Sequence, residues 1–227
     1  MSAENELARR LRVCYGKDGR LAYLGHLEVM GTIMRSVRRC GLPFEVSNGF
    51  AHRMRIQFSQ ALPVGASSSA EYYDLMLPCE VNADEALEAL RRCTPAALAP
   101  KRAALLPRRM PALEAWANRA SWLVLLPCAA DDAGKIAEAI DGVRARGVIS
   151  FMRGDKPRRI ELGRTLVACE LRSEGSSLTM LLETRSTEQG SLRPAVLVQE
   201  VCGRQPRSVC RVGQWHEEDD GTLTSPL

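Results

Sequence analysis

The residues best suited to chemistry in this 227-residue chain are two of its three histidines and the arginines near them. His26 and His52 carry imidazoles whose unperturbed pKa of about 6.5 lets them exchange protons near neutrality. Arg53 and Arg55 follow His52 and carry guanidinium groups that can stabilise charge on a phosphorus centre. Together they allow metal-independent RNA cleavage, with His26 or His52 as general base or acid. The same neighbourhood also suits binding without catalysis. Arginines clamp phosphates bidentately, and the backbone N–H groups of Ser47, Asn48 and Gly49 can face an anion. Phe50 and Tyr23 are the nearby rings on which a base could stack, although aromatic residues make up only 5% of the chain and a buried place in the core is the commoner use of each. His26 also opens a helical stretch, where capping or packing is its ordinary use.

Other chemistries find less support. The eight cysteines (14, 40, 79, 93, 128, 169, 202 and 210) form no CxxC pair and no CxxxCxxC run, so neither zinc nor an iron–sulfur cluster is expected, and small core hydrophobes are the natural reading. Phosphate-loop and dinucleotide fingerprints are missing from the sequence. Glu71 and Asp74 are three apart on a predicted strand, which sends them to opposite faces. His216 with the acidic residues 217–220 reads as a solvated tail. No metal and no cofactor is expected.

Elements must position these groups. Arg10–Tyr15 alternates charged and apolar residues as a strand does, and Gly16-Lys17-Asp18-Gly19 signals a turn. Leu27, Met30, Ile33, Met34 and Val37 recur at helical spacing, and Gly41 and Pro43 stop that run. The spacing leaves Arg35 and Arg39 off the apolar face, near the C-terminal end where the helix dipole favours cations. Ser47–Met54 has neither period and contains Asn48-Gly49, which predicts an ordered loop with a left-handed turn. Strands at 55–59 and 72–77, a helix capped by Asn82 and a strand at 97–106 complete a β-α-β-β-α-β order, the ferredoxin-like pattern. The order is expected to repeat with strand 121–126, helix 133–146, strands 165–172 and 178–184, helix 194–201 and strand 208–212.

The fold expected is therefore α+β, two tandem ferredoxin-like (βαββαβ) modules. Residues 9–106 form the first, 107–118 a linker, 119–214 the second and 215–227 a flexible tail. The composition, 45% hydrophobic and 26% charged, is that of a globular protein. The apolar runs are far shorter than the roughly 20 residues of a membrane span, and no signal peptide opens the chain, so a cytoplasmic location without a membrane partner is expected. Net charge is +4, and residues 1–60 hold ten cations against five acids. That excess is the electrostatic argument for a phosphate-bearing partner.

Several segments, in order, carry a family likeness: Lys17-Asp18-Gly19, Gly25-His26-Leu27-Glu28, Arg38-Arg39-Cys40-Gly41-Leu42-Pro43, Gly49-Phe50, Arg55-Ile56, Leu62-Pro63-Val64-Gly65 and Glu71-Tyr72-Tyr73-Asp74. In these the chain resembles the uncharacterised bacterial radical-SAM-associated (radical-SAM-linked) family. The family's Gly-Phe-x-Pro-His reads Gly49-Phe50-Ala51-His52-Arg53 here, which places Arg53 under the family's histidine. The resemblance implies an accessory protein for a cobalamin-type radical-SAM enzyme supplied in trans. It would bind or present RNA or another phosphate-bearing substrate through Tyr23, His26, Arg35, Arg39, Ser47, Asn48, Gly49, Phe50, His52, Arg53 and Arg55. Two alternatives stand beside this: a pure protein-interaction module docking on that enzyme, and an endoribonuclease.

Overall fold

The computed structural model describes residues 10–188 and 190–227 and divides the chain into two compact units. One comprises the residues up to Ala117 together with Glu218–Leu227, the other Asn118–Glu217. Arg9, the first residue of the expected N-terminal module, lies outside the described residues, as do Glu4 and Glu6 of the charge count.

The first unit runs β1 (Arg10–Lys17), α1 (His26–Arg39), β2 (Ile56–Phe58), β3 (Ser67–Met76), α2 (Ala83–Cys93), β4 (Pro100–Leu106) and a single turn, α3 (Leu113–Trp116). Within it β4 pairs with β1, β1 with β3 and β3 with β2, all antiparallel. Local chemistry sets the helix ends. The Glu28 carboxylate accepts from Gly25 N–H at 2.7 Å to start α1, and Asn82 Oδ1 accepts from Asp84 and Glu85 N–H at 2.9 and 3.1 Å to start α2. Strand alternation sends Leu11, Val13 and Tyr15 of β1 and Tyr73 and Leu75 of β3 to one face, where Val29, Ile33 and Val37 of α1 and Ala86 and Leu90 of α2 close the core. Each buried Val, Leu or Ile among them contributes about 1.5–3 kcal/mol on leaving water.

The other face of this sheet is covered too. Leu113 packs there with Cys14, Ala70 and Tyr72, and Trp116 and Leu227 lie against them. This cover explains why Arg10 and Arg12, at the polar positions of β1, are buried rather than solvated. The residues expected to be a linker and a tail supply the cover, and the C-terminal residues return to a unit whose first strand begins at Arg10.

The second unit runs β5 (Arg119–Ala129), α4 (Ala133–Arg146), β6 (Val148–Arg153), β7 (Lys156–Glu161), α5 (Leu162–Thr165), β8 (Leu166–Glu174), β9 (Ser177–Thr187), β10 (Gly190–Ser191), α6 (Pro194–Cys202) and β11 (Ser208–Glu217). β8 and β5 flank β9, β11 pairs with β5, and β10 takes the end of β9. β6 and β7 stand apart as a two-stranded antiparallel sheet. Gly147, at φ +71, ends α4 with its N–H on the Val143 and Arg144 carbonyls, the left-handed cap that its position implies.

The α+β class holds, but two βαββαβ modules in tandem do not. The first unit is not one continuous stretch of chain, since it includes residues 218–227. The second is not a six-element repeat, because the β6–β7 sheet, α5 and β10 are built into it. No helix among the described residues is long and apolar enough to cross a membrane.

Candidate nucleic-acid interface

Seven of the predicted site residues share one structure. Residues 45–55 form a hairpin: Ser47 N–H donates to Arg53 C=O at 2.8 Å, Arg53 N–H to Ser47 Oγ at 3.1 Å, and Arg55 N–H to Glu45 C=O at 2.8 Å. Val46 and Met54 are bridged between these rungs, and Met54 is buried in the core. The base is held to the end of β3, where Glu45 N–H donates to Met76 C=O and Met76 N–H to Arg55 C=O. Asn48, Gly49, Phe50 and His52 are therefore carried on a tip fixed by backbone hydrogen bonds.

At that tip the positive φ lies at His52 (39°), whose N–H donates to Gly49 C=O at 3.0 Å, and not at the Asn48-Gly49 step where sequence placed it. Left-handed backbone is uncommon for a residue with a Cβ, so His52 sits in a constrained turn. Ser47 N–H is consumed by the hairpin and does not face an anion. Phe50 is fully exposed, with a relative accessibility of 104%, and Tyr23 is 73% exposed. The core places expected for both rings are thus filled by other residues. The Arg53 side chain forms no hydrogen bond or ion pair with the described residues.

The remaining predicted residues divide. Tyr23 and His26 flank the start of α1, and the His26 ring meets Phe58 of β2 edge-on with centroids 5.9 Å apart, which ties the helix start to the strand that follows the hairpin. Arg55 is held by Glu45 at 2.8 Å, and Glu45 is also gripped by Arg108. These two guanidinium groups draw the Glu45 carboxyl below its ordinary range despite its partial burial. Arg35 and Arg39 do not join the hairpin. Arg35 donates to Thr32 Oγ1 on its own helix at 3.0 Å, and Arg39 to Cys93 C=O at the end of α2 at 2.9 Å.

Much of the N-terminal positive charge is bound internally. Asp74, fully buried, accepts from Arg12 Nε at 2.7 Å and from the same guanidinium's second nitrogen at 2.8 Å, and from Arg10 at 3.2 Å. Arg10 also donates to the carbonyls of Arg108 and Met110, and Arg12 to Pro226 C=O while lying 5.2 Å over the Trp116 ring. Such a network fixes the segment 108–111 and the C-terminal residues against β1, a structural role.

A second cationic group was seen in the sequence only as the basic run Lys156, Arg158 and Arg159, without Arg153 and Arg193. In the β6–β7 hairpin Phe151 lies opposite Arg158, and Arg153 opposite Lys156, so all four share one face. With Arg159 and Arg193, at the start of α6, three of these residues line a cavity of about 310 Å³. Residues Lys156, Arg158 and Arg159 were legible as a basic run, but nothing local joined them to Arg193. Among the described residues no group of three or more His, Cys, Asp or Glu is placed to hold a metal ion.

Residues 10–194 match a bacterial family described as uncharacterised proteins conserved in bacteria, DUF2344, and the chain belongs to it. No curated protein matches the chain. Its fold is similar to a crystal structure of a Cbf5–Nop10–Gar1 complex, at 10% identity and a TM-score of 0.52, over 96% of this chain and 53% of that one. A crystal structure of the archaeal box H/ACA sRNP Nop10–Cbf5 complex matches at 8% identity and a TM-score of 0.44, over 93% of this chain and 49% of that one. The chain thus spans about half the length of the solved chains that it resembles. The radical-SAM accessory role and the radical-SAM partner are corrected here: the family carries no such description, and the fold likeness is to a chain of a Cbf5–Nop10–Gar1 complex.

Proposed function

We propose that this protein is a binding module for single-stranded RNA that presents Phe50 on the hairpin tip, with Arg53 beside it, and Tyr23 at the start of α1. The observation that carries the reading is the fully exposed Phe50 ring on a backbone-bonded tip. A ring held out in water offers a ready π-face, and base–aromatic stacking contributes about 1–3 kcal/mol per base. Residues 46–55 contain two arginines and no acid, so the tip carries positive charge suited to the phosphates of a bound strand. The similarity to a protein crystallised within a multi-protein complex is in keeping with a component of an assembly.

The test is a titration of the full chain with a 5′-hydroxyl single-stranded RNA of about 12 nucleotides across a salt series. Phe50→Ala is expected to weaken binding by about 5- to 100-fold with no change in thermal midpoint, and Arg53→Ala to flatten the salt dependence by about one charge. Unchanged affinity in both variants would overturn the assignment.

A further inference from the structure

Nine of the thirteen arginines of the second unit fall into two sets, with Arg144, Arg164, Arg204 and Arg207 in neither. Arg119 pairs with Glu183 and Glu217, Arg185 with Glu217, Arg146 with Glu200 and Arg172 with Glu170, while Arg211 lies over the Trp122 ring. Arg153, Arg158, Arg159 and Arg193 form no ion pair with the described residues. Those four line the one cavity of about 310 Å³, and Glu188 is the single carboxylate in its wall. Lys156 adds its charge beside Arg153.

Their placement is set by the fold. Ile149 and Ile160, opposite each other and buried, root the β6–β7 hairpin, and Gly154, at φ +59, supplies the left-handed residue of its two-residue turn. The register then puts Arg153 and Arg158 on the face that carries Phe151. Arg193 comes from a different element, at the position preceding Pro194 in α6, where the helix dipole is positive. Burial and the charge of Arg153 both hold Arg193 below the ordinary arginine pKa, so the cluster repels itself. Four arginines gathered against the single carboxylate of Glu188 leave an excess of positive charge that an entering anion would relieve, and guanidinium groups from two elements suit phosphate oxygens.

We infer that this cavity is a binding site for the phosphates of a nucleotide, with Arg153, Arg158 and Arg193 on a chain of two or more phosphates and Phe151 against the base. The size agrees: about 310 Å³ is at the low end of small-ligand pockets, room for one nucleotide rather than for a polymer. A free nucleoside polyphosphate and the 5′-triphosphate end of an RNA present the same chemistry. The site stands apart from the Phe50 tip and does not depend on it.

Calorimetric titration of the full chain with adenosine, AMP, ADP, ATP and inorganic tripolyphosphate tests the site. Affinity is expected to rise from AMP to ATP, with adenosine not binding. The Arg153→Ala, Arg193→Ala double variant is expected to lose about tenfold or more in ATP affinity with an unchanged thermal midpoint. Phe151→Leu should weaken ATP and leave tripolyphosphate unaffected. In parallel, RNA of about 12 nucleotides carrying a 5′-triphosphate or a 5′-hydroxyl separates the sources. A preference for the triphosphate end that the double variant abolishes identifies an RNA end, whereas ATP binding without that preference identifies a free nucleotide. Affinity independent of phosphate number, or an ATP affinity untouched by the double variant, would overturn the inference. Loss of 5′-hydroxyl RNA binding in Phe50→Ala with ATP binding intact reports on the tip alone, so the two proposals fail separately.

Discussion

Both units bind arginines internally, but they differ in where the remaining ones are gathered. In the first, Arg10 and Arg12 are committed to the buried Asp74 and to backbone carbonyls, Arg55 and Arg108 to Glu45, and Arg39 to the end of α2. In the second, four arginines line a cavity whose wall holds one carboxylate. A count of charges along the chain does not reveal this cavity, because residues 1–60 hold ten cations against five acids while residues 118–217 hold fifteen against twelve. What decides whether a cation can bind a partner is whether the fold has already supplied its counter-charge.

The sharpest test of this division is Asp74. Replacing it with Asn leaves two buried guanidinium groups facing a neutral amide, and breaking a buried pair in this way costs about 3–5 kcal/mol. Asp74→Asn is therefore expected to lose most of the stability of the first unit in urea unfolding, while Arg153→Ala loses almost none. Equal stability of the two variants would break the comparison.

Glu217 gives the corresponding committed site of the second unit. Hydrogen bonds from Arg185 and then Arg119 hold its pKa down to about 2, against an ordinary value of 4.5. A carboxyl depressed in the folded state stabilises fully above the unfolded pKa, and that contribution is lost as pH falls from 4.5 towards 2. Glu217→Gln is expected to cost about 1–3 kcal/mol at neutral pH and to lose less on acidification through that window, as followed by urea midpoints at stepped pH.

Smaller effects sharpen the boundary on α1. Arg39→Ala removes the bond to Cys93 C=O and should cost about 0.5–1.5 kcal/mol. Arg35→Ala, whose contact is within its own exposed helix face, should change stability by less than about 0.5 kcal/mol. RNA affinity is expected to stay constant in both, since neither side chain belongs to the hairpin, and a loss in either would return α1 to the interface.

What was legible in the sequence was local. The apolar spacing of α1, the Asn82 cap and the Gly147 stop are written within a few residues of where they act. The β6–β7 hairpin was missed because Lys156-Pro157-Arg158-Arg159 has three cations and a proline, so no apolar–polar alternation marks it as a strand. Arg10 and Arg12 read as solvent-facing because the residues that cover them, 108–116 and 226–227, are about 100 and 214 positions away. The hairpin at 45–55 was legible only as a loop, and the exposure of Phe50 follows from which rings fill the core, Phe58, Tyr15 and Tyr73 among them, a choice that no local pattern records.

The bond from Arg12 to Pro226 also bears on how the chain is made. During synthesis β1 leaves the ribosome early, yet one of its buried guanidinium groups lacks this partner until the second unit has been translated. At roughly 5–20 residues per second that interval lasts on the order of 5–20 s after Ala117. Throughout it, the outer face of the first sheet is missing part of its cover.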